Sequence, residues 1–127
     1  MELTFNQMNG LYETLMSLRD KTLPFKLSLI VAKNISKLET ELNFYIDQER
    51  NFANTYLQKG EDGNFIQEAE GVFKIIEGKE EECRTAREEL DKFTTNVDLR
   101  MIPMSLVENL ELTPKEVGAL EVIIEEE

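Results

Sequence analysis

The sequence contains no histidine and a single cysteine, Cys83. Without an imidazole there is no histidine acid or base and no histidine-activated nucleophile, and most zinc sites are excluded. A lone thiol makes neither an internal disulfide nor a metal–thiolate cluster, which fits a cytoplasmic compartment. No run reaches the ~18 apolar residues of a membrane span. The opening MELTFNQMNG has no basic stretch leading into an apolar one, so no signal peptide is expected. Gly60, Gly63, Gly71 and Gly78 match neither phosphate-binding glycine pattern. Basic residues are also scarce, with 14 Lys and Arg against 26 Asp and Glu, for a net charge of -12. The deficit is uneven. Residues 1–58 carry seven acids and six bases, whereas residues 108–127 carry seven acids and one base. Such a surface repels phosphate, so direct nucleic-acid binding is not expected. It attracts a basic partner or imitates a polyanion.

What is present is helical. The longest regular stretch, 24–58, carries Val31, Ile35, Leu38, Leu42, Tyr45, Glu49, Phe52 and Tyr56 at alternating steps of four and three. That is a heptad seam broken once, by Glu49. Glu49 either reaches solvent or pairs with Arg84 or Arg87 of a facing helix, where a polar seam residue fixes register. The start of the stretch, Phe25, Leu27, Leu29, Ile30 and Val31, is apolar nearly all round and calls for cover on several sides. Lys26, Lys33 and Lys37 lie off the seam as solvated residues. Phe44 lies on the line of Ile30 and Lys37, also off the seam. These positions, Phe44 and Glu49 with Ile30 and Lys37, are the candidates for contact with a partner.

The segments around it read as follows. Residues 4–19 form a first helix, with Thr4 and Gln7 as a capping box and Phe5, Met8, Leu11, Tyr12, Leu15 and Leu18 on one face. Gly60-Glu61-Asp62-Gly63-Asn64 is a turn and lacks the alternating ligands of a calcium loop. Residues 60–78 then hold either a small hairpin, through Phe65–Gln67 and Val72–Ile76, or a loop entering a helix near Glu68. Residues 79–95 form a partner helix whose seam is Cys83, Ala86, Leu90 and Phe93. In an antiparallel pair, small Cys83 and Ala86 meet large Phe52 and Tyr56, and Leu90 and Phe93 fall near Leu42 and Tyr45. On that seam Cys83 reads as a small buried hydrophobe. This helix covers only the second half of the long one, which leaves both chain ends to cover the first half, up to about Ile35–Leu38. Val97, Leu99 and Met101 alternate in a strand over 97–103. Thr113-Pro114-Lys115-Glu116 caps a last helix over 114–124, with Val117, Leu120, Ile123 and Ile124 as its buried stripe. It runs into Glu125-Glu126-Glu127, acids that oppose the helix dipole and fray the end.

The stretches LPFKLSLIVAKNISKLETEL (23–42), GEDGN (60–64), EELDKF (88–93) and LTPKEVGALEVIIE (112–125) occur in that order. Together they resemble a family of small acidic proteins encoded by phages and prophages of Gram-positive bacteria. The resemblance implies a Leu-Pro-x-Lys-x-Ser stretch opening a long helix, then a short strand and a Leu-Thr-Pro helix ending in acids. It carries no activity and assigns no functional residue. The helix–hairpin–helix order is also similar in layout to prefoldin subunits.

The expected fold is a single domain, 1–127, mostly helical α+β. An antiparallel helical hairpin pairs 24–58 with 79–95, flanked by N- and C-terminal helices and a small β element. The expected function is non-enzymatic: a phage or prophage protein in the host cytoplasm that binds a host or phage protein, such as a host-factor or defence inhibitor. A homo-oligomer through the long helix is one form of this. A virion or tail-assembly accessory and an acidic nucleic-acid mimic are the alternatives. No catalytic residue, cofactor, metal or membrane contact is expected.

Overall fold

The computed structural model describes residues 1–126, so Glu127, last of the closing acids, lies outside the described residues. The chain is a mostly helical α+β protein with small strand pairs. Its order is β1 (Glu2–Thr4), α1 (Phe5–Arg19), α2 (Phe25–Tyr56), β2 (Gln67–Ala69), β3 (Val72–Phe73), α3 (Glu80–Lys92), β4 (Thr94–Asn96), β5 (Ile102–Pro103), α4 (Pro114–Leu120) and β6 (Ile124–Glu125). Where length suggests one domain, the fold groups into two compact units. One is Met1–Asn43 with Thr94–Glu127; the other is Phe44–Phe93.

The first unit holds most of the buried apolar residues. Met8, Leu11, Leu15 and Leu18 of α1 are fully buried, as are Leu27 and Leu38 of α2 and Leu120 of α4. Both chain ends therefore contribute to the core around the start of α2. They reach further along it than Ile35–Leu38, because side chains of α2 hold the segment after β4. Asn34 Nδ2 donates to the Arg100 carbonyl at 3.0 Å, and the Arg100 N–H donates to Asn34 Oδ1 at 2.8 Å. Lys37 Nζ donates to the Asp98 carbonyl, and Thr95 Oγ1 to Glu41. These bonds also correct the strand expected over 97–103. The Val97 N–H still donates to the Met1 carbonyl, but the Asp98 carbonyl and both Arg100 backbone groups bond to helix side chains instead of a neighbouring strand, so only Ile102–Pro103 is a strand. Buried and exposed residues alternate from Val97 to Arg100, and the alternation breaks at Met101.

The local cap chemistry forms as expected. Thr4 accepts from the Gln7 N–H and Thr113 from the Glu116 N–H, and each partner side chain returns a bond to the cap's N–H. Hydrogen bonds from Thr113, chiefly its backbone N–H, and from Ser17 hold the Glu116 carboxyl below its ordinary pKa. The last helix is shorter than 114–124. After Leu120 the backbone tightens into a 3-10 turn, Glu121–Ile123, and Ile124–Glu125 pairs in parallel with β5. Glu125 therefore lies in a strand and not at the end of the expected helix, and Val117 is exposed. A second pairing, β1 with β4, was not visible in the sequence at all. Phe25 also departs from the expectation of all-round cover: it is 82% exposed. It sits in the first turn, at the margin of the core, whereas Leu27, two residues further on, is buried.

The second unit is thinner. Among its described residues only Tyr45 and Cys83 are buried apolar side chains. Its contacts run Tyr45 to Phe93, Glu49 to Arg87 and Thr55 to Lys79, so α2 and α3 are antiparallel here. The stretch 60–78 is the hairpin, not a helix entry, with β2 and β3 antiparallel across a bulge. The Gln58 N–H donates to the Lys74 carbonyl, Lys74 to Ile66, and Ile66 back to Gln58, closing a triangle of three short segments. Gly63 and Gly71 turn the chain between them with φ of 81° and 75°, a region that costs glycine nothing.

Candidate functional site

The second unit has an apolar surface on each side of its helix pair, and the two sides differ in what covers them. On one side the hairpin closes over α2 and α3. Phe52, Leu57, Phe65, Phe73, Ile75 and Cys83 line a cleft of about 560 Å³. Phe65 and Phe73 meet edge-on at 6.4 Å. Each follows a turn glycine by two residues, in Gly63-Asn64-Phe65 and Gly71-Val72-Phe73. This repeat at a spacing of eight is the sequence signal that would have located the cleft.

An ion pair closes the edge of this cleft. Arg87 Nη1 and Nη2 donate to the two Glu49 carboxylate oxygens at 2.8 and 2.6 Å. The guanidinium also bonds Asp91 and lies 4.8 Å from the centre of the Phe52 ring. Of the two sequence candidates for Glu49, Arg87 is thus the partner, and Arg84 pairs with Glu81 instead. The hydrogen bonds from Arg87 hold the Glu49 carboxyl below its ordinary pKa despite partial burial, and Glu49 raises Arg87 in turn. Burial pushes the Cys83 thiol up, away from the thiolate form that nucleophilic chemistry needs.

Because the folded Glu49 pKa is lowered, its contribution to stability is present above the ordinary carboxylate range. It is lost as pH falls through the lowered value. Glu49→Gln should cost about 1 kcal/mol at pH 7, the upper end for a half-exposed pair. The gap to the unchanged protein should close in acid. Thermal melts between neutral pH and pH ~3 measure this, and a gap that is constant across the range would refute it.

The other side of the helix pair has no covering element among the described residues of the unit. Phe44 is 50% exposed and Phe93 47% exposed. They flank Tyr45, whose ring lies edge-on to both, at 6.1 and 5.6 Å. The Tyr45 hydroxyl donates to the Phe93 carbonyl at 3.1 Å. From this aromatic end a shallow groove follows α2 and α3. Phe52, Tyr56, Ala86 and Leu90 continue its floor. The helix seam expected of Phe93 is only half right. α3 ends at Lys92, so Phe93 is extended and leaves one ring face open.

The four candidate contact residues do not form one site. Phe44 lines the open groove and Glu49 the hairpin-side cleft. Ile30 is 6% exposed in the core of the first unit, so it offers no surface to a partner. Lys37 is held by the Asp98 carbonyl in the first unit and is not a free surface cation.

No known family model matches the chain, and no curated protein or solved structure is significantly similar to it. Among the described residues no helix is long and apolar enough to cross a membrane.

Proposed function

We propose that the chain is a phage or prophage protein that acts by binding another protein, without catalysis, in the manner of a host-factor or defence inhibitor. The observation that carries this reading is the open side of the α2–α3 pair. Two phenylalanines are half exposed there, in a unit with only two buried apolar side chains. A monomer seldom leaves contiguous aromatic surface bare without a use for it. Phage origin and action in the host cytoplasm rest on the four resembling stretches. The antiparallel helical hairpin is the scaffold in this reading, since two packed helices present a rigid face at little cost in ordering.

A second reading, an acidic nucleic-acid mimic, is favoured by the net charge of -12 and by the seven acids against one base in residues 108–127. The two differ in salt dependence. Tagged protein passed through Gram-positive host lysate should retain a stoichiometric partner at high salt, and a Phe44→Ser/Phe93→Ser variant should lose it. Capture of nucleic-acid-binding proteins that elute with salt favours the mimic. An eluate from the unchanged protein with no stoichiometric partner at either salt would reject protein binding.

A further inference from the structure

We propose that the open groove between α2 and α3 is a docking site for a basic amphipathic helix of about three turns. This rests on the protein-binding reading and names where and what the protein binds.

The groove is continuous. Three hollows of about 420, 340 and 100 Å³ follow one another along the helix pair. The first two share Tyr56, Ala86 and Glu89, and the last two share Gln48, Leu90 and Phe93. Its floor is Phe44, Phe52, Tyr56, Ala86, Leu90 and Phe93. From Phe44 to Tyr56 the helix advances roughly 18 Å, the length of three helical turns. Two parallel ridges with an apolar trough between them accept a third helix laid along it, with anchors at i, i+3, i+4 and i+7. A β-strand is a poorer fit, because the groove offers no free backbone edge.

Charge selects the occupant. Glu82 and Glu89 line the groove on the α3 side, together with Glu81, which Arg84 already pairs, and the α2 side is neutral, with Gln48, Asn51 and Thr55. Lys79, at the far end, is engaged with the Thr55 carbonyl. A helix with lysines or arginines flanking an apolar stripe matches both floor and rim. A second copy of this chain does not. A symmetric pair would seat one glutamate-rimmed groove on another, between molecules that each carry -12 and with no basic stripe to match the rim.

Two synthetic helical peptides test the proposal. They share one leucine stripe and differ only in lysine or glutamate at the remaining positions. The lysine peptide should bind at least roughly tenfold more tightly than the glutamate peptide. Amide shifts in the full protein should concentrate between residues 44 and 56 and between 81 and 93. Glu82→Lys/Glu89→Lys, which changes only exposed rim residues, should abolish the preference. Phe44→Ser/Phe93→Ser should weaken binding of the lysine peptide at unchanged charge. Equal affinities, shifts centred on Phe65 and Phe73, shifts confined to residues 108–126, or self-association blocked by Phe93→Ser would each overturn the proposal. If neither peptide binds, the groove assignment fails, while protein binding itself still stands or falls on the lysate experiment.

Discussion

Asn34→Ala lowers the stability of the protein by about 2–4 kcal/mol and its Tm by about 10 °C. Asn34 is fully buried in α2, and its amide replaces a β-strand partner for Arg100. It donates to the Arg100 carbonyl at 3.0 Å and accepts the Arg100 N–H at 2.8 Å. Removing the amide deletes two hydrogen bonds and leaves both backbone groups without that partner, which costs more than the bonds contributed. The sequence around Arg100 cannot repair this, because Pro103 ends any extension of the strand. Asn34→Asp separates the two bonds. A protonated carboxyl both donates and accepts, as the amide does, whereas a carboxylate only accepts and is charged in a buried site. Its folded pKa is therefore raised. The variant comes closest to the unchanged protein below the ordinary Asp pKa and falls away as pH rises through the raised value. Thermal unfolding measures both variants, and hydrogen exchange at the Arg100 amide locates the effect. A loss under about 1 kcal/mol for Asn34→Ala, with Arg100 still protected, would show that the anchor is not needed.

Asn34 also shows where sequence reading stops. Helix existence was legible because α1, α2 and α3 repeat their apolar residues, and caps were legible because Thr4 meets Gln7, and Thr113 meets Glu116, within three residues. The Glu49 seam break was legible too, and the structure chose between its two arginines. A single asparagine whose partner is the backbone 66 residues away leaves no local trace. The pairing of β5 with β6 escapes for a related reason, whereas the β2–β3 hairpin did show through its turn glycines. β5 and β6 are two residues each, too short to show a period of two. The last helix was read too long because Glu121–Ile123 keep a helical apolar rhythm while the backbone has already tightened. At the candidate site, Phe44 stood out because it lay off the heptad. Phe93 did not, because its place on the α3 seam hid the fact that α3 stops one residue earlier.

Tyr45→Ala should cost about 3–5 kcal/mol, the range for truncating a buried aromatic ring, and the loss should fall first on residues 44–93. Tyr45 and Cys83 are the two buried apolar side chains described in that unit, and Tyr45 is by far the larger. Its ring carries two edge contacts, to Phe44 and Phe93, and its hydroxyl holds the Phe93 carbonyl. Tyr45→Phe keeps the rings and drops the hydroxyl, so it should cost only about 1 kcal/mol. Native-state hydrogen exchange separates the two units. Protection over 44–93 should collapse in Tyr45→Ala while Met8, Leu11, Leu15 and Leu18 in α1 stay protected. Uniform loss along the whole chain would show that the units do not open separately. The same residue connects stability to binding. Phe44 and Phe93 are half exposed on either side of the buried Tyr45 ring, with no covering element among the described residues of the unit. A partner seated on those rings adds the burial that this unit lacks, so it stabilises residues 44–93 by linkage as its concentration rises. The lysine peptide should therefore restore exchange protection in Tyr45→Phe, and should restore less of it when Glu82→Lys/Glu89→Lys is added to that variant.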